Sequence, residues 1–255
     1  VMSKTHLIIP DQHADPFTNH TRAKYAGKLI NDIKPDVVVN LGDAADMASL
    51  SSYDRGTRGF EGRRYNKDVE ASIKFQETLW KEVSPSVRKK IRAVVLEGNH
   101  EYRISRATNA DAMLDGTIGY DDLQMDTFYD DVVRYNGSSP GTIEIDGITY
   151  AHYLVSGVMG RAIGGEHPAH SLLVKKHQSC TVGHLHLLNH AQQTKEDGTK
   201  LNGLVAGCFD DHFHSYAGNA NKMWWVGCCV KHSVSKGDYD LEQVSLKRMK
   251  KIYGR

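Results

Sequence analysis

Five short stretches carry side chains that bind divalent metals through oxygen or imidazole nitrogen. They are Asp11-Gln12-His13, Gly42-Asp43-Ala44-Ala45-Asp46, Gly98-Asn99-His100-Glu101, His152, and Gly183-His184-Leu185-His186. Mixed Asp, Asn and His ligands suit borderline-to-hard divalent ions such as Mn²⁺, Fe²⁺ or Zn²⁺. No cysteine falls in these stretches, which argues against a structural zinc site. Asp11 and His13 stand two residues apart, and on an extended chain such side chains point the same way, so both can reach one ion. Any single histidine among them is more often a core or surface residue than a ligand. The series changes that balance, and the chain's 14 histidines add to it.

Each stretch follows a run that reads as a β-strand. Leu7-Ile8-Ile9-Pro10 leads to Asp11, Val37-Val38-Val39-Asn40-Leu41 to Asp43, and Ala93-Val94-Val95-Leu96-Glu97 to Asn99. Ile148-Thr149-Tyr150-Ala151 leads to His152, and Ser179-Cys180-Thr181-Val182 to His184. Sites in open α/β sheets gather beyond the carboxyl ends of strands, so five strand ends would converge on one centre. The glycines before Asp43, Asn99 and His184 are expected to take backbone conformations open to glycine, giving a sharp strand exit.

Apolar and β-branched periodicity places strands at 5–10, 36–41, 91–97, 142–151, 178–183, 201–207 and 223–232. Helical spacing of apolar residues covers 19–34 and 68–83. Alternation of strand and helix predicts a mainly parallel sheet in the first half. Asp146-Gly147 carries the signature of a tight hairpin in a strand-rich second half. Without a repeat or a low-complexity linker, residues 1–255 read as one domain with a basic tail at about 245–255.

The net charge of +1 gives no global pull toward nucleic acid or membrane, so electrostatic recognition must be local. No apolar run approaches the roughly 18 residues that suggest a membrane span. Cys180, Cys208, Cys228 and Cys229 lie in apolar strand-like runs and read as buried thiols rather than a disulfide framework. A soluble, cytoplasmic protein is the expectation, with no membrane and no protein partner evident.

Together the five stretches resemble the calcineurin-like metallophosphoesterases, whose pattern runs D-x-H, G-D-x-x-D, G-N-H-E/D, H, G-H-x-H. The match covers about residues 5–190. The resemblance implies an α/β fold of two mixed β-sheets packed as a sandwich and flanked by helices. It implies two divalent ions, with Mn²⁺ favoured and Fe²⁺, Zn²⁺, Ni²⁺ or Mg²⁺ open. Asp11, His13 and His186 would hold one ion, Asn99, His152 and His184 the other, and Asp43 would bridge them. His100 would donate a proton to the departing oxygen, oriented by Asp46. The reaction implied is hydroxide attack on a phosphate ester, with the hydroxide generated between the two metals.

Substrate candidates lie outside these motifs. Arg103, three residues past His100, could contact a phosphate oxygen. The Gly-rich loop 53–67 carries Arg55, Arg58, Arg63, Arg64 and Lys67 against Asp54 and Glu61, and Arg63 and Arg64 are its phosphate-binding candidates. His212, in Asp210-Asp211-His212-Phe213-His214, follows another strand and could line the cleft mouth, and His190 is a weaker candidate. Segment 157–170 reads as a lid or a plain loop. Lys247, Arg248, Lys250, Lys251 and Arg255 make the tail basic without an acid.

The expectation is a phosphodiesterase or nuclease acting on DNA, RNA or nucleotides. A phosphomonoesterase or protein phosphatase is the alternative within the resemblance. Met47 stands where protein phosphatases carry Arg, and Glu101 where repair nucleases usually carry Asp, so neither subfamily fits cleanly. A metal-binding scaffold without catalysis is a third reading, disfavoured because every ligand and His100 are present.

Overall fold

The computed structural model describes residues 3–254, apart from the side chains of Ser215 and Tyr216. Among the described residues, thirteen strands and seven α-helices follow one another in this order. The first half holds β1 (Lys4–Ile9), α1 (Thr21–Ile33), β2 (Val37–Asn40), α2 (Tyr65–Lys81), α3 (Pro85–Arg88), β3 (Arg92–Leu96), α4 (Tyr102–Ala110), α5 (Met125–Phe128) and β4 (Asp131–Val133). The second holds β5 (Thr142–Ile145), β6 (Ile148–Ala151), β7 (Val155–Ser156), β8 (Arg161–Ala162), α6 (Pro168–Lys176), β9 (Ser179–Val182), β10 (Leu188–Thr194), β11 (Lys200–Ala206), β12 (Gly227–Ser235), β13 (Asp238–Ser245) and α7 (Leu246–Tyr253).

Two mixed sheets result. One runs β13-β12-β1-β2-β3-β4 and the other β10-β11-β9-β6-β5. β1, β2, β3 and β4 are parallel, as are β6, β9 and β11. Alternation along the strands assigns each residue a layer. Leu7 and Ile9, Val38, and Ala93 and Val95 face a core built with α1, α2 and α7. Ile8, Val37, Val39, Val94 and Leu96 face the other way, onto Ile148, Tyr150, Leu204 and Ala206 of the second sheet. Behind that sheet, Cys180, Val182 and Val205 pack on Leu172 of α6. The order is therefore helices, sheet, sheet, helix, an α/β architecture of mixed sheets flanked by helices.

The parallel strands expected in the first half are present, and the Asp146-Gly147 turn joins β5 to β6 with both residues at positive φ. Three expectations need correction. The strand expected at 223–232 begins at Gly227, because 215–223 forms a 3₁₀ segment. α2 begins at Tyr65, so the end of the Gly-rich loop is helix. The basic tail is helix α7, whose Leu246 and Met249 are buried against the first sheet's helical layer; Arg255 lies outside the described residues. Its lysines masked an i, i+3 apolar pair too short to register as a helix. Segment 157–170 holds the turn of the β7–β8 hairpin and the start of α6. The four cysteines are free and buried, as expected. Among the described residues no helix is long and apolar enough to cross a membrane.

Among the described residues, the inter-sheet core contains one lysine. Lys231 on β12 is fully buried, with Nζ donating to Thr181 Oγ1 and, at 3.3 Å, to the Tyr150 hydroxyl. It lies 4.5 Å from the ring centroids of both Tyr150 and Tyr239. Burial drives its pKa well below the ordinary lysine value. Above the unfolded value, near 10.4, neither state is protonated, and below it the unfolded chain takes up a proton the folded chain resists. Stability from this group therefore falls as pH drops from about 10 toward the folded pKa. Lys231→Met is expected to raise the melting temperature by about 2–4 °C at pH 7, corresponding to roughly 1 kcal/mol in a chain of this size. The gain should shrink toward pH 10; a melting temperature lowered equally at both pH values would show that the lysine's contacts outweigh its desolvation.

Candidate metal centre

All five stretches arrive at one point between the sheets. β1 and β2 continue past their ends as a zipped pair, with His13 N donating to Asp43 O at 2.8 Å and Asp46 N to Ala14 O at 3.1 Å. β6 and β9 do likewise, Gly183 N donating to His152 O at 3.0 Å. The first sheet thus supplies Asp11, His13, Asp43, Asp46, Asn99 and His100, and the second supplies His152, His184 and His186.

The donor atoms form overlapping triads. Asp11, His13 and His186 place one ligand atom each within 4.8 Å of the others, and so do Asp43, His152 and His184. A third triad, His13, Asp43 and His100, joins them. Asp43 Oδ2 lies 3.7 Å from His13 Nε2 and 3.3 Å from His152 Nε2, centrally between the first two sets. Asn99 Oδ1 is 2.9 Å from His152 Nε2. The seven residues expected as ligands are therefore brought together.

The tautomers follow from the outer partners. His152 Nδ1 donates to Leu41 O at 2.9 Å, so its Nε2 lone pair faces inward, toward Asn99 Oδ1 and Asp43 Oδ2. His13 Nδ1 donates to Asp46 Oδ1 at 2.9 Å, leaving Nε2 aimed at His186 Nε2, 3.2 Å away. Acceptors thus converge while donors point outward, and a buried cluster of acceptors requires a positive charge among them. The proton affinities report the same field. Burial opposes charge on His13, yet the Asp46 hydrogen bond and the Asp43 and Asp46 charges hold its pKa up at about 10. Burial likewise opposes charge on His152, and Asp43 with Asp11 raises it to about 9. His184 is lowered to about 4 by burial and the neighbouring His152. His186 falls well below its usual value for the same reason, with His13 as the neighbour. His184 and His186 are thus held neutral opposite buried carboxylates, while His13 and His152 carry positive charge that a bound divalent cation would replace.

His100 sits at the rim. Its Nδ1 donates to Asp46 O at 2.7 Å and lies 3.1 Å from Asp46 Oδ1, so the expected pairing with Asp46 is present. Its Nε2 is 3.9 Å from Asp43 Oδ2 and 3.3 Å from an Arg103 nitrogen. Arg103 also donates to Asp46 O at 2.9 Å and Met47 O at 3.3 Å, so it clamps the Asp43–Met47 loop while facing the cavity. That cavity, about 490 Å³, exposes His13, Asp43, His100 and His184 at its floor, with Ser51, Tyr53, Asp54, Leu185 and Trp224 on its walls.

Four substrate candidates lie elsewhere. Arg63 is paired with Asp15 and stacked on Phe17, and Arg64 donates to Arg63 O; neither lines the cavity. His212 hydrogen-bonds Asp210 and accepts from Asn19 N, facing a separate depression with Asp211 and Lys250. His190 contacts Asn202 on the outer strands of the second sheet. Asp210, Asp211 and His212 also form a triad of possible ligands, but Arg22 and Lys250 already balance the two carboxylates.

Several supporting residues escaped the sequence reading. Buried Arg22 donates to Gln12 O, Asn19 O and Phe209 O at 2.6, 2.7 and 2.7 Å, tying the β1 exit to the loop after β11. Its place on the apolar stripe with Ala26 and Leu29 was the available signal. His214, in the run expected at the cleft mouth, pairs with Asp210, and its ring centroid is 5.6 Å from that of His13. Trp224 and His186 meet edge-to-face with ring centroids 4.3 Å apart. Glu101 supports the turn, accepting from Gly98 N, Asp43 N and Ala45 N at 2.8, 3.1 and 2.7 Å.

The glycines serve differently than expected. Only Gly42 takes a positive φ, +95°; Gly98 and Gly183 are needed for space. A Cβ on Gly98 would stand 2.2 Å from Asp43 Oδ1, and one on Gly183 2.3 Å from Asp11 Oδ2. Left-handed backbone falls instead on His13, Asp43, Met47, His184 and His186. Such conformations cost of order 1 kcal/mol or more each for residues with a Cβ and gather at functional sites.

No protein-family model matches the chain, and no curated protein matches it. Solved structures do align along most of its length. One covers 96% of this chain and 100% of its own at 11% identity, with a TM-score of 0.42. TT1561 of Thermus thermophilus covers 94% and 99% at 8% identity, with a TM-score of 0.36. The functional reading rests on the side chains.

Gly183→Ala is expected to displace the Asp11 carboxylate without touching any donor chemically. Calorimetric titration with Mn²⁺ should show affinity lower by about 10–100-fold, the size typical of disturbing a ligand's surroundings, with cooperative unfolding retained. Unaltered affinity would remove Asp11 from the ligand set.

Proposed function

We propose that this chain is a two-metal phosphoester hydrolase that prefers phosphodiesters, with nucleic acid or nucleotides as its substrate class. One observation carries the reading: two donor triads meet at a shared buried carboxylate, Asp43, directly beneath an open cavity with His100 at its edge. The motif resemblance to calcineurin-like metallophosphoesterases agrees with this arrangement.

Asp11, His13 and His186 would hold one ion, Asn99, His152 and His184 the other, and Asp43 both. Bound divalent ions would supply positive charge for the phosphoryl oxygens and a water acidic enough to ionise near neutral pH. Manganese is the favoured ion by ligand type, with iron, zinc, nickel or magnesium as alternatives. His100 faces the cavity through Nε2 while Asp46 fixes Nδ1, an orientation suited to giving a proton to the leaving oxygen. Arg103 stands beside it and can hydrogen-bond a non-bridging oxygen.

Diester preference is supported by the cavity's charge. Among the described residues Arg103 is the one arginine or lysine lining it, already shared with two carbonyls, and Asp54 faces the same space. That wall suits a singly charged diester better than a doubly charged monoester. Tyr53 and Trp224 offer ring surface for a base beside the phosphate.

The Mn²⁺-loaded protein is expected to release nitrophenol faster from bis(p-nitrophenyl) phosphate than from p-nitrophenyl phosphate. Asp43→Ala should abolish metal binding and turnover together. His100→Ala should lower kcat about 10²–10⁴-fold while metal binding persists. Faster monoester cleavage would replace the phosphodiesterase reading with a phosphomonoesterase.

A further inference from the structure

Trp224 belongs to two cavities. It walls the metal centre and also an adjoining groove of about 540 Å³, whose other lining includes Trp225, Leu246, Lys247, Lys250 and Lys251. The two are tied together by the backbone, since Trp225 N donates to His186 O at 3.0 Å. Trp225 is seated against glycine on two sides: a Cβ on Gly207 would come within 2.5 Å of its ring, and one on Gly227 within 2.6 Å. The indole is half-buried on the inter-sheet core, and the part of it that remains open lines the groove. The opposite wall is α7, held by buried Leu246 and Met249, so its lysines project from a docked helix. Lys250 is paired with Asp211 at 2.9 Å and Arg248 with Glu242 at 3.8 Å. Among the described residues no carboxylate is paired with Lys247 or Lys251, and α7 carries no acid. The chain's net charge is +1, so this concentration of positive charge is local.

We infer that this groove is a binding track for single-stranded nucleic acid, continuing the strand whose phosphodiester occupies the metal cavity, with Trp225 stacking a base and Lys247 and Lys251 meeting phosphates. The inference rests on the phosphodiester reading of the metal centre. Aromatic faces interleaved with lysines are the combination that binds single strands with little sequence preference: π-faces accept any base, and cations follow the backbone. Duplex cannot offer unpaired bases to the indole. A continuous strand from cavity to groove passes Trp224, which makes that ring the corner of the path.

The test measures binding apart from hydrolysis. A fluorescein-labelled oligothymidylate of about 15 nucleotides, long enough for one such site, is titrated with the whole chain in EDTA at several salt concentrations, and anisotropy is read. Lys247→Glu with Lys251→Glu is expected to lower affinity at least about tenfold. The slope of log affinity against log salt should become shallower by about 1.4, two phosphates' worth for a single strand. Trp225→Leu should lower affinity about tenfold and leave the slope unchanged. The exposed lysine pair keeps the test valid if the tryptophan variant unfolds. Unchanged affinity and slope in the lysine variant would overturn the track. So would a duplex of equal length binding as tightly as the single strand, which would mark α7 as a general polyanion surface. Hydrolysis of the small diester by the unaltered protein reports on the metal centre alone: its failure with lysine-dependent binding intact would remove the enzyme reading and keep the track.

Discussion

The carboxylate of Asp43 is the group on which the rest of the arrangement depends. It is buried, shared between histidines from both sheets, and bonded through Oδ1 to the backbone of His100. A buried carboxylate is tolerable only with compensating charge and hydrogen bonds. His13, His100 and His152 converge on it, and their fields outweigh desolvation enough to hold its pKa well below the usual carboxylate range. Because His13 and His100 come from the first sheet and His152 from the second, Asp43 also joins the two halves of the sandwich at their carboxyl ends.

Holding such a group in place requires backbone that the chain would not adopt alone. His13, Asp43, Met47, His184 and His186 all lie in the left-handed region. Each is fixed by surroundings that over-determine it. Glu101 joins the turns after β2 and β3 through three backbone amides, and Arg22 joins the exit of β1 to the loop after β11. Asp46 receives both His13 and His100. Close approach completes the frame, since Gly98 and Gly183 let the Asp43 and Asp11 carboxylates lie directly on neighbouring backbone. His184 N donates to both oxygens of Asp11 at 3.0 Å, which would fix that carboxylate's orientation before any ion arrives.

The aromatic wall beside the metal-ligand cluster is built from a different part of the fold. The second sheet ends at β11, and the chain then passes through Asp210, the 3₁₀ segment and Trp224–Trp225 before entering β12 of the first sheet. That crossover places aromatic rings against His186 and delivers α7 beside them. The candidate metal ligands thus gather at the ends of parallel strands, whereas the aromatic and basic surface beside them is assembled from the connection between sheets and the last helix.

Much of the centre was legible in the chain. Strand runs ending in Asp11, Asp43, Asn99, His152 and His184 predicted convergence, because parallel strands in a layered fold must carry their carboxyl ends to a common edge. The seven ligand candidates, and Asp46 beside His100, met as expected for that reason. Less was legible where a residue's role depends on distant backbone. Arg63 looked like a free cation in a basic loop, yet Asp15 lies opposite it in space; Lys247 and Lys251 looked like solvated tail, yet Leu246 and Met249 dock their helix beside Trp225. Residue type and spacing along strands determine which atoms can bind a metal, because that periodicity is local. Which charges remain available to a substrate, and that Gly98 and Gly183 serve space rather than conformation, was decided only by tertiary packing, because both depend on which segments lie opposite across the fold.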